Sequence, residues 1–179
     1  MTTATKTLWM IDPTHSEVQF KVKHLVISTV TGSFGSYDGK IEADSDDFEN
    51  AKATFTADID SISTNNEDRD QHLKSDDFFN AEEYPQLKFE STNFEKVGDG
   101  EYKVTGDLTI RDVTKKIELD VVHGGTVTDQ YGQTKAGFEV EGKINRKEFD
   151  LTWSAVTEAG NVVVGDEIKL QLNVQFIKN

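Results

Sequence analysis

The sequence predicts an all-β protein: an elongated eight-stranded antiparallel barrel with one short helical insert around residues 66–76. Three observations predict it. Apolar residues recur with a period of two through most of the chain. Turn-forming clusters interrupt that period at short intervals. One interval, from Ser63 to Pro85, loses the period altogether.

The strands follow from the alternation. In "EVQFKVKHL", Val18, Phe20 and Val22 alternate with Glu17, Gln19, Lys21 and Lys23. "ATFTADI" puts Ala53, Phe55, Ala57 and Ile59 in one phase, and "YKVTGDLTI" does the same for Tyr102, Val104, Leu108 and Ile110. "KIELDVV" aligns Ile117, Leu119 and Val121; "GFEVEGKI" aligns Phe138, Val140 and Ile144. "IKLQLNVQF" aligns Ile168, Leu170, Leu172, Val174 and Phe176. Charged, Thr and Gln residues take most positions between, which gives each strand one dry and one wet face. Turns are expected at Gly32 to Gly39, "VGDGE" (97–101), "RDVTKK" (111–116), "DQYGQ" (129–133) and "EAGN" (158–161). Pro13 and Pro85 fall near strand starts. With no repeat and no Pro/Gly linker, residues 1–179 read as one domain. Such strands can stack as a sandwich or close as a barrel. Segments 102–110, 115–127 and 162–177 would reach roughly 30–50 Å at about 3.3 Å per residue. That length, around a Phe-rich interior, favours the barrel, and eight strands enclose room for about one slender ligand.

The insert is "EDRDQHLKSDDFF", residues 67–79. Asn65 or Asn66 can cap a helix, Glu67 and Asp68 suit its first turn, and Lys74 its last. Leu73 is apolar and Phe78 and Phe79 follow. The segment reads as a short helix plus an aromatic anchor. Arg69 and His72, three apart, share a helix face; Asp70 points elsewhere and can cap or pair with a neighbouring strand. The face is either a polar collar that meets a ligand head group or a salt-bridged helix docked on the barrel rim.

Composition narrows the function classes. The chain has 19 basic and 33 acidic residues, a net charge of −14. Nucleic acid and anionic membrane surfaces repel such a protein; an acidic solvated shell accounts for the charge. No cysteine is present, which excludes disulfides, thiolate nucleophiles and cysteine-based zinc sites. No apolar run approaches the roughly 18 residues of a membrane span. The start, "MTTATKTLWMID", shows no apolar signal-peptide core. A cytoplasmic protein is therefore expected, with a mature periplasmic form as the alternative.

Catalytic signatures are weak. His24 and His123 fall on inward parity, His15 lies at the entry to a strand in "DPTHSE", and His72 lies in the insert. No HExxH or HxH spacing links any pair. Ser16 adjoins His15, but strand neighbours face opposite ways, so they form no nucleophile–base pair. "GSFGSYDG" lacks the Lys and the strand-to-helix setting of a phosphate-binding loop and reads as a bend. The many aromatics instead suggest either a packed core or an apolar tunnel that shelters a lipid tail, at about 0.8 kcal/mol per buried methylene.

Several blocks, in order, resemble one family: "WMIDPTHSEVQFKVKHL", "STVTGSFGSYDGKI", "RDQHLKSDDFFNAEEYPQLKFES", "VTGDLTIRDVTKKIELDV" and "INRKEFDL". Over about Trp9 to Phe176 the chain is similar to YceI-like proteins. Asp112 stands where related sequences often have Gly, a difference confined to a turn. The resemblance implies a lipocalin-like barrel holding a long-chain amphiphile, such as a polyisoprenoid, an isoprenoid quinone or a fatty-acid derivative. It implies binding, storage or transport rather than catalysis, no required cofactor beyond a bound lipid, and pairing as a homodimer. The implied tunnel lining comprises Val18, Phe20, Val22, Phe55, Phe89, Leu108, Leu119, Val121, Phe138, Leu170 and Leu172. Leu73, Phe78 and Phe79 would close or shape it, and His15, His24, Arg69 and His72 match polar positions. Two alternatives stand beside this reading: a metal-dependent or His/carboxylate enzyme using His24 and His123, and a stress-related structural domain with a filled core.

Overall fold

A computed structural model describes residues 6–25, 27–44, 47–154 and 163–179. Eleven strands are seen among them: β1 (Thr7–Ile11), β2 (Glu17–His24), β3 (Ser28–Phe34), β4 (Tyr37–Ala43), β5 (Lys52–Asp58), β6 (Ile62–Ser63), β7 (Gln86–Gly98), β8 (Glu101–Ile110), β9 (Val113–Thr128), β10 (Thr134–Asn145) and β11 (Val164–Lys178). One helix, α1 (Glu67–Lys74), separates β6 from β7. All pairings are antiparallel.

These strands make the eight staves of a closed barrel, because three staves are kinked and each counts as two strands. β1 and β2 both pair with β11, so they are halves of one stave. β3 pairs with β2 and β4 with β1, which makes the second stave. β5 pairs with β4 and β6 with β3, the third. From β7 to β11 the chain meanders up and down, and β11 closes on the first stave. Closure removes the open edges that would invite association.

Local chemistry produces the kinks. Pro13 opens a 3-10 turn, and the Asp12 carboxylate accepts hydrogen bonds from Thr14 N (3.0 Å) and Oγ1 (2.6 Å). His15 Nδ1 lies 2.8 Å from the other Asp12 oxygen. Burial works against the Asp12 charge, but the Thr14 and His15 bonds outweigh it and hold its pKa below the ordinary value. The bend between β3 and β4 is only Gly35 and Ser36, shorter than the expected Gly32–Gly39 turn. Gly32 stays in the strand because it is the register partner of Phe20. The turn expected over 111–116 likewise shrinks to Arg111 and Asp112, since Thr114, Lys115 and Lys116 pair with β8. The expected turn at 158–161 lies outside the described residues.

Core packing is uneven along the barrel axis. At the end where the β7–β8 and β9–β10 hairpins turn, Trp9 and Phe48 are both 0% exposed. The Phe48 ring meets Trp9, His123 and Phe138 at centroid distances of 5.3, 5.2 and 4.9 Å. These rings, with Phe94, Tyr102 and Phe176, plug that end. The opposite end carries α1 and its following turn, with Phe78, Ile110, Phe149 and Leu151 buried beneath.

Candidate functional site

Between the plug and the insert lies a cavity of about 700 Å³. That volume falls within the roughly 300–1,000 Å³ of small-molecule sites. Its walls come from the inward phase of the strands. Phe20, Phe55, Phe89, Leu119, Val140, Leu170 and Leu172 point inward yet stay only part-buried. Apolar side chains enclosed in a barrel but still reachable by solvent mark a lumen that the protein does not fill itself.

The residues expected at the tunnel wall (Val18, Phe20, Val22, Phe55, Phe89, Leu108, Leu119, Val121, Phe138, Leu170 and Leu172), those expected to close it (Leu73, Phe78 and Phe79) and the polar His24, Arg69 and His72 all lie on the cavity. Parity brought most of them together, since a period of two selects one face of every stave. His15 is elsewhere: it is exposed on the Asp12 kink. His123 is inward but belongs to the plug, stacked on Phe138 at 5.1 Å with Nε2 2.9 Å from Thr126 Oγ1. His24 pairs with Ser28 and Val164 at the insert end. The two inward histidines therefore sit at opposite ends of the barrel. Among the described residues, no group of three or more His, Asp or Glu is placed to hold a metal ion.

The insert forms as its local signals require. Asn66 Oδ1 accepts from Arg69 N at 3.0 Å, the N-cap bond of α1. Asp70 Oδ1 accepts from both Thr64 N (2.8 Å) and Thr64 Oγ1 (2.6 Å). Arg69 donates from Nε to Thr64 Oγ1 (2.8 Å) and from Nη2 to Thr64 O (2.7 Å). Thr64, 4% exposed, thus ties the helix to the end of β6. His72 Nε2 lies 2.8 Å from Asp77 Oδ2. Its ring meets Phe78 and Trp153 edge-on at 5.1 and 4.8 Å. Much of the expected polar collar is therefore bonded within the protein. No residue of α1 is buried; the anchoring falls to Phe78, 5% exposed, and to Phe79 against Phe34 at 6.4 Å.

Two arginines stitch this end together. Arg111 has a φ of 57°, an uncommon conformation for a non-glycine residue. From there its Nη1 reaches Asp76 O and Phe78 O, both at 3.2 Å, and Asp150 O at 3.5 Å. The β8–β9 turn thereby holds the insert. Arg146 lines the cavity and is 1% exposed. It donates to Gly165 O (2.8 Å), Leu151 O (2.6 Å), Trp153 O (2.7 Å) and Val164 O (3.4 Å). Burial lowers its pKa from the ordinary value, and Asp166, 3.6 Å away, offsets part of that effect. Sequence reasoning missed Arg146, although it shares the parity of Val140 and Ile144. It also missed Trp153, which sits on an irregular segment where parity offers no signal.

With this geometry in place, known proteins can be set beside the chain. The YceI-like domain model matches residues 9–176. A UPF0312 protein of Staphylococcus aureus is 37% identical over 171 residues, covering 95% of this chain and 97% of that one. The crystal structure of Burkholderia cenocepacia BcnA superposes with a TM-score of 0.80 at 21% identity, over 92% of this chain and 98% of that one. A polyisoprenoid binding domain from Saccharophagus degradans, implicated in plant cell wall breakdown, gives a TM-score of 0.68 at 15% identity, over 96% and 98%. At such identities the two structures speak for the fold.

Proposed function

The chain belongs to the YceI-like domain family, and on that premise we propose that its barrel binds a long-chain hydrophobic amphiphile for storage or transport. The observation that carries this reading is the apolar cavity of about 700 Å³ whose wall residues are enclosed but unfilled. An isoprenoid or fatty-acyl tail is the chemistry such a wall accepts, because each methylene moved from water contributes about 0.8 kcal/mol without any polar anchor. The polyisoprenoid binding domain of the same fold agrees with this reading. The tail lies in the lumen; the polar end sits near Lys23, Asn66 and Asp68, the exposed polar residues on the rim. The role is binding and not catalysis: the walls supply shape and dryness, and the inward histidines lie at opposite ends.

Organic extraction of the purified protein followed by mass spectrometry tests the proposal, with native mass spectrometry for stoichiometry. The expected result is one long-chain species per chain, absent from a mock purification. An empty protein that also takes up neither added isoprenoid nor added fatty acid would overturn it. Phe79→Asp places a charge on the cavity wall and should reduce retention severalfold, since an unpaired charge is poorly tolerated there. Unchanged retention in a folded variant would remove the insert from the binding site.

A further inference from the structure

Among the described residues, four inward positions of the barrel carry glycine where a wall side chain would be expected. Gly32 and Gly39 lie on the second stave, Gly106 on β8 and Gly142 on β10. Each sits beside a cavity-lining side chain of the next stave. Gly32 is the register partner of Phe20, Gly39 of Phe55, and Gly142 of Leu119. Gly106 is paired with Ser91, diagonal to Phe89.

The space above these glycines is occupied to different degrees. A Cβ on Gly32 would lie 2.5 Å from Cε1 of Phe20 and closer still to Cζ. On Gly142 it would lie 2.5 Å from Cδ2 of Leu119. On Gly106 it would meet both Phe89 Cζ and the Glu90 carbonyl oxygen at 2.5 Å. On Gly39 the nearest atoms are at an ordinary 3.5 Å. So Phe20, Leu119 and Phe89 lean over the neighbouring strand, into the volume that its missing side chain vacates. Glycine weakens a strand and commonly marks such close approaches. Here the close approach has a geometric consequence: three bulky groups lie along the wall instead of projecting across the lumen.

We propose that Gly32 and Gly142, by letting Phe20 and Leu119 recline against the wall, set the calibre of the cavity and with it the preference between unbranched and methyl-branched chains. The proposal rests on the reading of the cavity as a hydrophobic-chain site. An added methyl at either glycine displaces the far end of a flexible side chain off the wall. The lumen narrows there, and the nearest atoms that must give way are side-chain atoms of Phe20 and Leu119. A straight polymethylene chain is slimmer than an isoprenoid, whose methyl branches recur along its length. Narrowing therefore excludes the isoprenoid first. Gly106 is unsuited to the test, because its substituent would press on a backbone carbonyl as well.

The experiment measures uptake of hexadecanol and geranylgeraniol by the full chain and by Gly32→Ala, Gly142→Ala and Gly39→Ala, using extraction and native mass spectrometry. Circular dichroism checks the fold of each. Gly32→Ala and Gly142→Ala should lose geranylgeraniol about tenfold relative to hexadecanol, the discrimination typical of one methylene in a packed apolar pocket. Gly39→Ala should match the wild type. Gly32→Ala/Phe20→Leu, with the reclining ring shortened, should regain the branched chain. Wild-type ratios in folded Gly32→Ala and Gly142→Ala would overturn the calibre, as would equal losses of both probes. Should Gly32→Ala not fold, the double variant decides: regained folding and branched uptake support the proposal, and continued misfolding overturns it. Uptake of neither probe by the wild type would instead overturn the carrier reading, and the calibre with it.

Discussion

The two ends of this barrel are built from the same staves but filled differently. At the hairpin end, Trp9, Phe48, Phe138 and their neighbours pack ring against ring, and Trp9 and Phe48 have no exposure. Toward the insert, equally apolar residues line a space they do not fill, and a short polar helix with two arginines holds the mouth. The plug end is packed solid; the insert end keeps an open interior. One strand can serve both ends because its inward side chains change partner along its length. On β10, Ala136 and Phe138 face the plug, whereas Val140 and Gly142 face the lumen.

The largest expected contrast is between Phe48 and Phe55. Phe48→Ala should cost about 3–5 kcal/mol in urea unfolding, as for a large core ring. Phe55→Ala should cost about 1–2 kcal/mol, because one side of its ring already faces the lumen. Equal losses would mean that both halves are packed alike. Next comes Arg146→Met, at about 3 kcal/mol, since four backbone carbonyls lose a buried donor. Lys147→Met removes the partly exposed ion pair to the same Asp166 and should change stability by under about 0.5 kcal/mol. A comparable loss in both would reduce Arg146 to a surface charge.

A smaller effect separates the plug from the mouth by pH. Burial first, and then the hydrogen bond to Asp47, push the Tyr102 phenol up to about 12. The unfolded chain releases that proton near 10, so it binds fewer protons than the native state above that pH. The contribution is fully present below about pH 10 and falls as pH rises toward about 12. Tyr102→Phe should cost about 1 kcal/mol at neutral pH and remove this part of the alkaline fall, read by urea titration across that range. A similarly small effect is expected for Asn66→Ala, about 0.5–1 kcal/mol. It should appear as faster amide exchange confined to α1, with the plug unchanged.

Much of this was legible in the sequence, for a definite reason. A barrel wall keeps a period of two between bulges, so Phe20, Leu119 and Leu172 declare their direction without any knowledge of their neighbours. Phe89 and Phe94 of β7, by contrast, both face inward on opposite parity because a bulge shifts the register between them. The helix declared itself through Asn66, Glu67 and Lys74, whose capping and dipole effects act within a single turn. The missing parts were of another kind. Phe48 stands alone in "DDFEN", and nothing local says that its ring will meet Trp9, 39 positions earlier by residue number. Arg146 had the parity of an inward residue, but a charge on that face is explained only by carbonyls at Leu151, Trp153, Val164 and Gly165.

The sequence by itself determined six of the eleven strands, the insert and the side of the wall on which their apolar residues fall; β1, β3, β4, β6 and β7 came only with the structure. The six strands and the insert depend on alternation and on contacts within a few residues. Only the tertiary structure decided which half of the interior is full and which is open. That outcome depends on which residues meet across staves: Phe48 with Phe138, Phe20 with Gly32, Leu119 with Gly142. Such meetings are set by register and closure, and no single strand carries them.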